Sequence, residues 1–115
     1  MKNDDLKLEG AFHKTAHGRL SYEVDRATPE FILVVAKILH SRFGFSKSKM
    51  PIVGLEAVIT DCERNRIKLL LGWDIWCGFY VFADSEDGDA VVSEVGIYLG
   101  SIIQNPEFEK YIHRS

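Results

Sequence analysis

The sequence predicts an α+β two-layer sandwich in the order β-β-α-β-β-β-α, with two helices on one face of a largely antiparallel five-stranded sheet. Three observations carry this. Segments of period-two alternation mark strands, and two segments carry one apolar stripe at helical spacing. The links between the third, fourth and fifth strands are of hairpin length, which demands antiparallel pairing. Two helices with single apolar stripes must both bury against the sheet, and one face suffices for both.

The elements follow in chain order. Leu6 and Leu8, with Phe12 beyond them, alternate with Lys7 and Glu9 as a half-buried strand, and Leu20, Tyr22 and Val24 alternate with Ser21, Glu23 and Asp25. His13 to Gly18 is polar, so the two strands form a hairpin. Thr28 is an N-cap candidate, Pro29 suits a first helical position and Glu30 favours the positive helix end. Phe31, Val35, Ile38, Leu39 and Arg42 share one helical face, and Gly44 closes the helix in a left-handed conformation.

Phe45 to Pro51 reads as a basic, polar and mobile connector. Leu55 to Cys62 alternates as a strand, residues 63–66 turn the chain, and Ile67 to Leu71 returns. Residues 72–76 read as the next turn, and Cys77 to Ala83 as a nearly continuous apolar strand, central in the sheet or covered on its second face by a partner. The acidic turn Asp84 to Asp89 leads into a second helix striped by Val91 or Val92, Val95, Tyr98 or Leu99, and Ile102. Asn105-Pro106 stops it and opens a short helical segment with Phe108, Tyr111 and Ile112.

At 115 residues the chain is one domain, residues 1–115, large enough to bury about two-thirds of its surface without staples. A hydrophobic fraction of 46% with 27% charged residues excludes a disordered chain. No apolar run reaches membrane length, the acidic start lacks an export signal, and two cysteines suit a reducing compartment, so the expected location is cytoplasmic.

The net charge of −3 is unevenly distributed. No Lys or Arg lies between Lys68 and Lys110, a stretch holding Asp74, Asp84, Glu86, Asp87, Asp89, Glu94, Glu107 and Glu109. That pattern disfavours nucleic acid and favours a basic protein partner.

The candidate chemistries fail on spacing. The calcium-loop pattern, started at Asp84, meets Gly88 at position 5 and Val95 at position 12, so the acids are read as capping groups. His13 and His17 have zinc spacing, but Gly18 follows and no third ligand is indicated. Cys62 and Cys77 alternate into strands as small hydrophobes, and no nucleophile elbow or phosphate loop occurs. Gly96 and Gly100 on the second helix permit close approach to the sheet. The chain is therefore read as non-catalytic, without cofactor or metal.

Trp73 and Trp76 stand apart. Large aromatics beside acids on a tight turn have the composition of a protein-binding hot spot, and Trp76 is expected inside with Trp73 exposed. The run Leu71-Gly72-Trp73-Asp74-Ile75-Trp76-Cys77-Gly78-Phe79-Tyr80-Val81 resembles small bacterial immunity proteins of polymorphic-toxin and contact-dependent growth-inhibition systems. Ser85-Glu86-Asp87-Gly88-Asp89, followed by a helix ending in Ile97-Tyr98-Leu99, extends the resemblance over residues 55–103.

The resemblance implies an inhibitor of a cognate toxin domain, often a nuclease with a basic cleft. The residues expected to bind it are Trp73, Asp74, Trp76, Asp84, Glu86, Asp87 and Asp89, with Glu63 and Glu94 as outer contacts. The competing reading is a small-molecule-binding or regulatory domain that dimerises through its sheet.

Overall fold

The structure is a computed structural model and describes residues 7–113. Strands β1 (Gly10–Lys14) and β2 (Leu20–Val24) are followed by helix α1 (Phe31–Phe43). Strands β3 (Ile52–Val53), β4 (Ala57–Arg64), β5 (Ile67–Asp74) and β6 (Gly78–Ala83) precede helix α2 (Asp89–Ile102). A six-residue 3₁₀ segment, Pro106–Tyr111, follows, as the Asn105-Pro106 break implies. The architecture is the predicted α+β sandwich. Its sheet has six strands rather than five, in the order β1-β2-β6-β5-β4-β3, with every pairing antiparallel.

The sixth strand comes from the connector. Residues 46–53 lie along β4 rather than apart from it: Ser46 N–H donates to the Glu63 carbonyl (2.8 Å), Lys49 N–H to that of Asp61 (3.1 Å), and Ile52 pairs with Ile59. Thr60 Oγ1 donates to the Lys49 carbonyl at 2.6 Å. These bonds are made by the backbone, so the polar sequence gives no periodic signal of them. The first strand is also displaced, covering Gly10–Lys14, while Leu8 precedes it and Leu6 lies outside the described residues.

Register assigns each strand residue to a face. Tyr22, Val81, Leu71 and Thr60 form one row beneath the helices, and Val24, Phe79, Trp73 and Val58 form the next. With Leu69, Ala83 and Cys62 they meet Phe31, Ile32, Val35 and Leu39 of α1 and Val92, Val95 and Leu99 of α2 in one core. The Phe31 and Phe79 rings meet edge to face at 5.2 Å. Gly96 brings α2 down onto the sheet, since a Cβ there would strike the rings of Phe12 and Tyr22.

Both helix starts differ from expectation. Thr28 offers α1 its carbonyl, which accepts from Phe31 N–H at 3.0 Å, and no side chain caps either helix. Helix α1 ends as predicted, with Gly44 at φ 77°. The β4–β5 turn is the two-residue loop Asn65-Arg66, both at positive φ (49° and 70°), which matches the twist of the hairpin.

Two outcomes follow. Replacing Arg66 with Gly removes the steric cost of a left-handed non-glycine residue, and urea melts are expected to show a gain of about 1 kcal/mol. Cys62 is buried, and burial first, then the Asp61 carboxylate, pushes its thiol from 9.0 up to about 12. The folded chain therefore keeps its proton where the unfolded chain has lost it. Stability should fall above pH 9 with a slope of up to about 1.4 kcal/mol per pH unit, and the fall should be shallower in Cys62→Ala.

Candidate functional site

The β5 strand runs on through Gly72 and Trp73, so the turn is shorter than the sequence suggests and comprises Ile75, Trp76 and Cys77. Alternation then decides the indoles, in the opposite sense to the expectation. Trp73 shares a row with Phe79 and Val58, packs against the core and donates Nε1–H to the Ala27 carbonyl at 2.7 Å. Trp76, beyond the strand end, is 74% exposed. One indole is structural and the other points into solvent.

Asp74 builds the turn. Its Oδ1 accepts from the backbone N–H groups of Trp76 (2.9 Å) and Cys77 (2.6 Å), the local bonding by which aspartate shapes tight turns. Gly78 follows at φ 73°, and a Cβ there would lie 2.5 Å from the Val24 and Asp25 carbonyl oxygens, so only glycine fits. Ile75 N–H donates to the Glu56 carbonyl at 3.2 Å, binding this turn to the β3–β4 turn.

Leu55 of that second turn is fully exposed, and Ile75 is exposed. Trp76, Ile75 and Leu55 thus form an apolar tip whose two turns carry only acidic charges, Glu56 and Asp74. Sequence reasoning missed Leu55, Glu56 and the exposure of Ile75. The signal was Gly54 before Leu55: a turn there lifts the leucine off the alternating pattern.

The acidic loop lies at the other end of β6, roughly 17–20 Å away by strand rise. Asp84, Glu86 and Asp87 are exposed there, and Gly88 is buried against Ala83 and Ile67. Asp89 is engaged internally. Its Oδ1 accepts from Leu20 N–H at 3.2 Å and its Oδ2 lies 3.4 Å from Arg19 Nη1, fastening α2 to the start of β2. Glu63 is exposed at this same end, in register with Lys68, and Glu94 is exposed on α2. The expected site residues are therefore divided between two ends of the molecule.

The acidic stretch of the sequence does not fold into one acidic face. A groove of about 570 Å³ beside the loop is lined by Asp84 and Glu86, but also by His17 and Arg19 from the β1–β2 turn, over a floor of Leu70 and Phe82. A cation from the first half of the chain, Arg19, thus stands among acids from the second.

The thiols are poorly disposed to attack. Cys77 is exposed, yet partial burial of its sulfur and then the Asp74 carboxylate push it above the ordinary thiol range, so little thiolate forms at neutral pH. Among the described residues no group of three or more His, Cys, Asp or Glu side chains is placed to hold a metal ion. His13 lies 3.7 Å from Glu23, its cross-strand neighbour by one diagonal. No helix is long and apolar enough to cross a membrane among these residues.

The arrangement sets an exposed indole on a bonded turn beside two exposed aliphatic residues, with carboxylates in the same two turns, the residue types found in macromolecular contacts. Comparison with protein-family models, with curated proteins and with solved structures returns no match for this chain.

Proposed function

We propose that this chain is a non-catalytic immunity protein that binds and neutralises a cognate toxin domain, of basic nuclease type, in the cytoplasm. The observation that carries the reading is the outward presentation of Trp76 on a turn locked by Asp74 and Gly78. An indole held in water has no folding role to repay its exposure. It offers a partner a large, rigid contact at little conformational cost. The sequence resemblance supplies the toxin, and Glu56 and Asp74 supply the preference for a basic surface.

Binding would centre on Trp76, Ile75 and Leu55. The exposed acids Asp84, Glu86, Asp87, Glu63 and Glu94 lie too far from this tip to join its centre, and their part would be long-range steering. Trp73 would act through the fold and Asp89 through the α2 anchor.

The test is rescue of growth when the product of the neighbouring reading frame is expressed with this chain. Trp76→Ala should abolish rescue, cost ~2 kcal/mol or more of binding and leave the melting temperature within a degree or two. Trp73→Ala should lower stability by about 3 kcal/mol, since it removes a packed indole and orphans the Ala27 carbonyl. Full rescue by Trp76→Ala would refute the assignment. In binding kinetics, raising the ionic strength should slow association several-fold and leave dissociation nearly unchanged; a salt-independent on-rate would exclude a basic partner.

A further inference from the structure

Both helices pack on one face of the sheet, and the other face carries neither helix. Its side chains follow from register. One row runs Ile52, Ile59, Gly72, Tyr80, Glu23 and Ala11, and the next runs Asp61, Leu70, Phe82, Ser21 and His13. Tyr80 lies across Gly72, where a Cβ would strike its ring, and stacks on Phe82 with centroids 6.0 Å apart. The result is an apolar centre of Ile59, Leu70, Tyr80 and Phe82, with Ile52 at its edge and Leu70 and Phe82 continuing into the groove beside the acidic loop. Ile52 and Ile59 are 73% and 42% exposed.

We infer that this open face is the contact between two copies of the chain, packed sheet to sheet. The inference is independent of the proposed toxin binding, which uses the tip. Two features select a second copy. The first is charge. Acids and bases alternate beside the apolar centre, with Lys49 3.4 Å from Asp61 and Lys68 opposite Glu63 across the strands. A face of mixed sign does not repel its own copy and offers little to a strongly basic partner.

The second feature is size. Six strands at ~4.8 Å spacing and about 20 Å of strand length give roughly 500 Å² per protomer, or about 1,000 Å² in a pair, by standard sheet dimensions. That reaches the lower limit of ~1,000 Å² for a specific interface, so the dimer should be concentration-dependent.

Sedimentation equilibrium of the whole chain tests this. The mass should rise from 13.1 kDa towards twice that value between micromolar and millimolar concentration. Ile59→Lys and Phe82→Lys should each hold the chain at the monomer mass, and Trp76→Ala should leave the dimer intact. The Ile59 variant keeps the test decisive, since that side chain is already part exposed and its loss need not disturb folding, as circular dichroism would verify. A wild-type chain that stays monomeric at millimolar concentration would overturn the inference. So would a dimer that survives both lysine variants. Loss of toxin binding in Ile59→Lys, with the free chain monomeric throughout, would assign the face to the partner and overturn it equally.

Discussion

A single strand, β6, sits inside the sheet between β2 and β5, and its alternate side chains meet two different worlds. Phe79, Val81 and Ala83 go under the helices and are wholly buried, while Tyr80 and Phe82 go to the uncovered face. The core depends on that alternation, because Phe79 receives Phe31 of α1 and Val81 lies in the row with Tyr22 and Leu71. A shift of one residue would exchange the two sets and leave both helices without a surface. Gly78 fixes the phase: its positive φ and its contact with the Val24 and Asp25 carbonyls admit no side chain.

Both proposed surfaces are consequences of the same constraint. One-sided coverage leaves the apolar residues of the second face without a helix over them, and the proposed contact between copies rests on these. The strand ends, by contrast, leave the alternation altogether. Trp76, Ile75 and Leu55 belong to turns, where no neighbour across the sheet can bury them. The acidic loop at the far end serves the fold through Asp89, and its free acids share their surroundings with Arg19 and His17.

Much of the fold was legible because it rests on local rules. The β4–β5 hairpin lay in Asn65-Arg66, the end of α1 in Gly44, and the break after α2 in Asn105-Pro106. What stayed hidden depends on contacts distant in sequence. Strand β3 exists because the backbone of residues 46–53 bonds to β4, and no side-chain pattern records that. The indoles were exchanged because β5 runs three residues further, to Asp74, and alternation then puts Trp73 on the same face as Leu69 and Leu71. The charge argument failed in space for a similar reason: a run of acids in sequence says nothing of Arg19, which the β1–β2 turn folds beside it. Of the site, Trp76 was singled out by residue type but expected inside, and its companion Leu55 became visible only once Ile75 was seen bonded to Glu56.

The central claim is that the partner is met by the tip formed from the β3–β4 and β5–β6 turns. Amide hydrogen exchange of the chain, free and bound to the product of its neighbouring reading frame, tests it most directly. The account predicts slowed exchange in residues 54–57 and 74–78, with residues 84–94 unchanged. Protection confined to residues 84–94, with both turns exchanging as in the free chain, would contradict it.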